Sequence, residues 1–394
     1  MKKILQLGGG LLQLHSVLQL KDAGYEVHIA DKNPNCPGAE KVKHFKALEI
    51  SDAEQVSSYV SMFSIDAILA INEAGVYPAS VASVTNKLNN YITPEVALRA
   101  TDKGLMRQAW QNAGLPQPEF MVVDDMKMIE KAVKEIGFPC MIKPCLNWGS
   151  KGVSSIFNDQ DLDFAIRFAL QHNRNNRYII ECFIAGVEMT IEGLCRNGKV
   201  TILSRSDKVH QKHRNYKVAM QLNYPSSLSQ KTLERVDELV IKAATALGLT
   251  DCAIHCEIIV DRERISLVEL AARPGGGHIF GKIVEAQSGI PMPLALIKIF
   301  LKEEFDITPR HQKGASYRFF SPPHGIFMSV SGIEEAQRIK GVIDIGFDMA
   351  PGTRVGDIAS DADRPGYLVT AADNKNEAIE LADKILSSLK FQME

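Results

Sequence analysis

Two glutamates near the middle of the chain, Glu257 and Glu269, are the residues on which chemistry can most readily be built. They lie in the stretch CAIHCEIIVDRERISLVELAARPGGG, residues 252–277. Its alternation predicts two strands, 253–260 and 265–271, joined by a charged turn at 261–264. Side chains alternate faces along a strand, so His255 shares a face with Glu257, while Ala271 and Arg273 share one with Glu269. A turn closing symmetrically about Glu263 places Glu257 opposite Glu269. Opposed Cβ atoms lie roughly 5 Å apart, where like charges repel. Such a pair needs a compensating cation, and an all-oxygen set suits a hard ion such as Mg2+, which also binds phosphate. The alternative is that one carboxylate faces solvent and pairs with Arg262 or Arg264.

A second candidate follows the expected strand 138–143. Lys143 leads into Pro144-Cys145-Leu146-Asn147-Trp148-Gly149-Ser150-Lys151-Gly152, and another strand follows at 153–157. A glycine loop between strands, entered by a lysine, offers backbone N–H groups and an ammonium to phosphates. The P-loop pattern G-x-x-x-x-G-K-[ST] is absent, and an ordinary hairpin loop is the competing reading. Farther on, Glu188, Thr190 and Glu192 recur at period two before Asn197-Gly198, a type I′ hairpin signal. That polar face is either solvated or directed at ligand hydroxyls. Residues 208–225 read as a polar, basic loop at the surface.

These candidates need elements to hold them. A strand at 3–7, Gly8-Gly9-Gly10, a helix near 13–23 and a strand at 26–30 ending at Asp31 make a βαβ unit. It invites a dinucleotide-binding reading with Asp31 on a ribose, but the third fingerprint glycine is replaced by Gln13. With a further strand at 66–71 followed by Asn72-Glu73, residues 1–95 read as an open parallel α/β domain. Asp102-Lys103 starts a helix that ends at Gly114. Helices are also expected at 159–172 and at 229–247, the latter with an apolar stripe of Leu233, Val236, Val240, Ala243 and Leu247.

The 394 residues allow two or three domains, and 45% hydrophobic with 23% charged content is ordinary for a globular protein. A formal net charge of −2 gives no footprint for nucleic acid or an acidic membrane. Seven scattered cysteines without a CxxC pair fit reduced thiols and a cytoplasmic location. The start, MKKILQLGGGLLQLHSVLQL, is too interrupted for a secretory signal.

Taken in order, these features resemble the ATP-grasp superfamily, in its carboxylate–amine ligase branch. That branch includes L-amino-acid ligases and the ATP-binding regions of carbamoyl-phosphate synthase and biotin carboxylase. The likeness runs from the βαβ start through Asp102-Lys103, the Lys143 strand and its loop, the E-x-F-I-x-G-x-E run at 181–188, and the glutamate pair ending in R-P-G-G. It implies an α/β fold with α+β elements: an N-terminal open parallel α/β domain (1–95), a linker helix (96–115), a small lid subdomain (116–184), a large antiparallel-sheet subdomain holding the metal and substrate site (185–305), and a C-terminal subdomain (306–394).

The resemblance also implies roles. Lys103 and Lys143 would reach ATP phosphates covered by Asn147, Gly149, Ser150, Lys151 and Gly152; Glu181, Cys182, Phe183 and Ile184 would form the adenine hinge. Glu188 would bind the ribose, Glu257 and Glu269 would hold one or two Mg2+ ions, and Arg273 would face the substrate carboxylate and the acyl phosphate. His255, on the face of Glu257, either orients the amine or the phosphate or is a packed strand histidine bonded to backbone. Many relatives carry Asn two residues after the second glutamate; here it is Ala271. The implied activity is ADP-forming amide synthesis from a small-molecule carboxylate and an amine through an acyl phosphate, in a homodimer that binds neither nucleic acid nor membrane. Bicarbonate activation and an NAD-dependent oxidoreductase are the rivals.

Overall fold

The computed structural model describes residues 1–394 except 89, 90, 148, 174 and 212–217. Four sheets organise it. The first is parallel, built from His44–Ala47, Glu26–Asp31, Lys3–Leu7 and Ala67–Ala70 in that spatial order. Apart from the edge strand His44–Ala47, its strands are almost wholly buried, and helices Ala53–Phe63 and Glu73–Thr85 pack against it. Buried parallel strands need apolar runs rather than alternation, which AILA provides; in KILQL the one buried polar residue, Gln6, donates to Gly8 O and accepts from Ser16 Oγ. The N-cap Asn72 accepts a hydrogen bond from Gly75 N, and this starts the second helix at Glu73, on the carboxyl edge of the sheet.

The glycine turn after Lys3–Leu7 satisfies itself. Asp31 accepts from Gly9 N at 2.8 Å and the Gln13 side chain accepts from Gly10 N at 3.0 Å. Gly8 is at φ +105°, and a Cβ there would lie 2.5 Å from Gln13 Oε1. The amides that a dinucleotide pyrophosphate would use are thus occupied by Asp31 and Gln13, and the carboxylate proposed for a ribose is spent on the turn.

The second sheet, Phe120–Val123, Tyr178–Cys182, Cys140–Pro144 and Ser154–Ile156, is antiparallel and small. Helices Ile129–Ile136 and Asp159–His172 cover one face through Val133, Ala165 and Ala169. The third sheet has eight strands and carries the glutamate hairpin at its edge. Three strands from the last ninety residues, Gly314–Phe319, Gly366–Ala372 and Val342–Phe347, continue this same sheet, so the region after 306 shares its framework with the region before it. A small sheet of Arg354–Val355, Gly325–Ser331 and Lys390–Met393 lies beyond.

Alternation along the large sheet separates a packing face from a polar one. Met189, Ile191, Ile254, Cys256 and Ile258 bury themselves against helix Gln230–Leu247 and Trp110. That helix starts at the cap Ser229, stops at the left-handed Gly248, and turns Val236, Val240, Ala243 and Leu247 inward, as its periodicity predicts. Trp110 is fully buried, and its truncation to Ala would cost about 3–5 kcal/mol. The opposite face presents Glu188, Thr190, Glu192, His255 and Glu257. All except His255 and Glu257, which are half-buried, are buried, so the period-two polar run is not a solvated face. Asn197 and Gly198 both have positive φ, 52° and 76°, as a type I′ turn requires.

The basic segment expected as a surface loop is largely ordered otherwise. Lys199–His210 and Ala219–Tyr224 are paired antiparallel strands, with residues 212–217 outside the described part. Among the described residues, no single helix is long and apolar enough to cross a membrane.

Candidate active site

A cleft of about 720 Å³ opens where the three larger sheets meet. The glutamate hairpin forms part of its floor. Glu257 and Glu269 are register partners, as the sequence suggests, but by another route. The turn is the two-residue Arg262-Glu263 with Arg262 at φ +53°, and Asp261 pairs with Arg264. Continued without interruption, that register would set Glu257 against Val268. A bulge between Glu257 and Ile258 adds one residue and brings Glu269 opposite instead. Bulges re-aim side chains in this way. Neither carboxylate turns to Arg262 or Arg264. Glu257 meets Lys208 Nζ at 2.6 Å, and Glu269 meets Lys103 Nζ at 3.1 Å. Their side chains keep 21% and 22% of their accessibility, so both remain open to the cleft.

Lys208 also reaches Glu188 at 2.7 Å, and His210 Nε2 lies 3.3 Å from the other oxygen of that carboxylate. Burial acts against the Lys208 ammonium, yet Glu188 and Glu257 together raise it above the ordinary lysine range. Burial also opposes the Glu257 anion, but Lys208 and His255 hold it below the usual carboxylate range. His255 is the more informative base. Burial alone would lower it, whereas its Nδ1 bond to Glu192 and the nearby Glu257 push it up to about 9. Glu192 in turn accepts from Gly275 N at 2.9 Å, and a Cβ at Gly275 would lie 2.6 Å from its Oε1. The first glycine after Arg273-Pro274 is therefore required for this close approach.

A second charge cluster lies against the small second sheet. Glu181 receives Arg107 Nε at 2.7 Å and Lys143 Nζ at 2.5 Å, all three nearly inaccessible. Burial disfavours the anion, but the two cations bring it down to about 2. Arg107 spends its remaining donors on Leu267 O and Val268 O, at 3.1 and 2.9 Å. It thereby ties the helix Lys103–Asn112, the lid and the glutamate hairpin together. Lys103, first residue of that helix after the cap Asp102, donates to Asn147 O at 2.9 Å as well as to Glu269. Burial weakens its charge, but Glu269 and Glu73 keep the ammonium above its ordinary value.

The loop after Lys143 folds over this cluster. Gly149, Ser150 and Gly152 all have positive φ, 67°, 58° and 73°. Gly149, Ser150 and Lys151 face the cleft. Asn147 lines it too, but its amide bonds His172 O at 2.7 Å and Lys151 O at 3.3 Å, so it braces the loop. Two expected contacts lie elsewhere. Gly152 packs against Pro144 and His172, where a Cβ would meet Pro144 Cγ at 2.9 Å, and Phe183 lies tilted against Phe157 while its N–H donates to Pro139 O. Cys182, Ile184 and Glu188 do line the cleft. Arg273 gives its Nε to Glu73, at the carboxyl edge of the parallel sheet, at 2.6 Å, and an Nη to Pro274 O. Ala271 is buried opposite His255 and offers no side-chain oxygen. On the far wall, Asp361 and Arg364 border the cleft. Arg364 there stacks over Phe319 at 3.6 Å.

A family model described as an ATP-grasp domain matches residues 136–282, and one described as L-amino acid ligase C-terminal domain 2 matches 318–394. Residues 136–282 are thus an ATP-grasp domain, and the chain's homologues are ATP-dependent ligases that form C–N bonds. Among curated relatives it is 23% identical to a formate-dependent phosphoribosylglycinamide formyltransferase of Mannheimia haemolytica, over 99% of this chain and 97% of that one. Its fold superposes on the L-amino acid ligase from Bacillus licheniformis with a TM-score of 0.86, at 20% identity and covering 100% and 99% of the two chains. The N5-carboxyaminoimidazole ribonucleotide synthetase from Thermotoga maritima follows at 0.75 and 19%, with both chains covered in full.

Among the charged residues of the cleft that the sequence did not mark are Arg107, Lys208, Glu73 and Glu192. Arg107 had a signal, because Lys103 and Arg107 are one helical turn apart and share a face. Glu192 shared the period-two run with Glu188. Glu73 and Lys208 had none, since their partners are 200 and 49 residues away.

Proposed function

We propose that the ligase joins a carboxylate to an amine in two steps, activating the carboxylate as an acyl phosphate and releasing ADP and Pi. The observation that carries this reading is the opposed pair Glu257 and Glu269, open to a cleft into which Lys103, Lys143 and Arg273 also converge. Phosphoryl transfer demands charge neutralisation and positioning more than a protein base. Both glutamates are hard oxygen ligands at register distance and suit Mg2+, which when bound would offset charge on the nucleotide phosphates. Ala271 leaves a further position to water.

Within the chain, Glu181 orients Lys143 toward the cleft, and the glycine loop offers amides around the phosphates. The hinge 181–184 would meet the adenine, and Glu188 the ribose, once Lys208 gives up one of its two carboxylates. Arg273, fixed by Glu73, presents its free Nη2 edge to the reacting carboxylate, whose two oxygens a guanidinium fork matches. His255 is held as an imidazolium by Glu192 and can steady the anion transferred. Closure of the lid over the loop would keep water from the acyl phosphate.

Amino acids are the substrates we favour for both partners, supported by the L-amino acid ligase C-terminal model on 318–394 and by the fold likeness to the Bacillus licheniformis ligase. Formate as the carboxylate is the second reading, favoured by the full-length likeness to the formate-dependent formyltransferase. A matrix of carboxylates, formate and bicarbonate included, against amines, scored by Pi release with Mg-ATP, separates these. Hydroxylamine should trap the activated acid as a hydroxamate. Accumulation of AMP and pyrophosphate would instead mean an acyl adenylate and overturn the mechanism. Thermal stabilisation by Mg-ATP, and none by NAD, is expected for the nucleotide site. The seven free thiols support a reducing compartment, and a homodimer is the assembly we expect.

A further inference from the structure

We propose that Cys140 and Cys182 form a reversible thiol–disulfide site at the edge of the nucleotide cleft, closed when a hydroperoxide oxidises the exposed thiol. The two residues are register partners on the antiparallel strands Cys140–Pro144 and Tyr178–Cys182. Cys182 N donates to Glu119 O at 2.9 Å, on the strand to the other side, while Phe183 N donates to Pro139 O at 3.0 Å. The Cys182 amide therefore points away from Cys140, which makes the two a non-hydrogen-bonded pair. Such pairs have Cα atoms about 4.5 Å apart with side chains on one face, inside the roughly 4.4–6.8 Å span that disulfides bridge.

The two thiols differ in access. Cys140 is fully buried at the margin of the lid core, and Cys182 is exposed. Burial pushes the Cys140 thiol up to about 11, with the neighbouring Cys182 adding to the rise. An oxidant therefore meets Cys182 first. Its thiolate attacks one peroxide oxygen, the O–O bond breaks, and a sulfenic acid and an alcohol or water result. Cys140 sulfur then displaces the sulfenic oxygen as water, and the S–S bond forms. Two thiols lose two electrons and two protons in total, and one hydroperoxide is reduced. A control is built into the fold. Cys195 and Cys252 are register partners too, but both are fully buried and should stay reduced.

The functional consequence rests on the nucleotide reading above. Cys182 follows Glu181, which holds Lys143 and Arg107, and it lines the cleft itself. A covalent tie at that point fixes the hinge against the neighbouring strand, and the apparent ATP affinity should fall by about tenfold, a typical coupling.

The test treats the reduced full-length protein with hydrogen peroxide and maps its peptides by mass spectrometry. A Cys140–Cys182 crosslink that dithiothreitol removes is expected, with Cys195 and Cys252 unmodified. Cys140→Ala should bind Mg-ATP as the reduced protein does, and peroxide should no longer weaken that binding reversibly. Sulfinic acid on Cys182 without a crosslink, or a crosslink that leaves ATP binding unchanged, overturns the proposal. If the reduced protein is not stabilised by Mg-ATP at all, the nucleotide reading fails, and the mass spectrum still decides the disulfide.

Discussion

Glu181 and the pair Glu257–Glu269 border one cleft and are held in opposite ways. Glu181 is closed in, its two oxygens divided between Arg107 and Lys143, and 2% accessible. Each glutamate of the pair meets a lysine on one side and keeps about a fifth of its surface open. A carboxylate saturated by protein cations can only position its neighbours, because no ligand can displace a buried partner without leaving an unpaired charge. A carboxylate with one side open to the cleft can take a bound cation there beside its lysine. The difference separates a charge that builds the site from charges that work in it.

The comparison breaks most sharply if the open pair can be removed without loss. Glu269→Gln or Glu257→Gln should lower turnover by about a thousandfold, the several kcal/mol a metal contributes, with little change in melting temperature. Wild-type Pi release from either variant would remove the metal role. For the closed cluster, Arg107→Met should cost about 3 kcal/mol in urea unfolding, since it strips Glu181 of one cation and two carbonyls of their donors. An unchanged unfolding midpoint would mean that the trio does not hold the lid to the hairpin. Arg273→Lys keeps the charge but loses the fork. We expect a fall of roughly ten- to a hundredfold in kcat with the KM for ATP nearly unchanged. Steady-state kinetics with ATP varied would show the opposite split if Arg273 served the nucleotide.

The smallest effect is in the pH dependence. His255 stands at about 9 when folded against 6.5 unfolded. A raised folded value gives stability that is fully present below about 6.5 and lost as pH rises through about 9. Melting temperatures recorded across pH 6–10 should decline over that window in the wild type and less in His255→Gln. Parallel curves for the two proteins would show that the imidazolium contributes nothing to folding.

Much of the cleft could be read from the chain because strands carry a strict two-residue period. Glu188, Thr190 and Glu192 had to share a face, and so did His255 and Glu257. The opposition of Glu257 to Glu269 was legible as well, although the expected symmetric turn about Glu263 did not form. Arg262 entered the left-handed region to make a two-residue turn, and the bulge restored the pairing. Alternation cannot foresee a bulge, which changes the count on one strand only. The basic segment 208–225 departs from the loop expectation for a related reason. KVH and AMQLNY are polar strands, and what fixes them is pairing with distant strands rather than their own composition.

The sequence by itself determined the parallel sheet and its glycine turn, the capped helices, the type I′ hairpin at Asn197-Gly198, and the candidate acids, lysines and arginine of the cleft. Only the tertiary structure decided which charges compensate which. Arg107 went to Glu181, Lys208 between Glu188 and Glu257, and Glu73 to Arg273 across 200 residues. The physical reason is range. Periodicity and capping act within a few residues and are written locally, whereas an ion pair depends only on distance in space, which the chain sets when separate sheets close on one another.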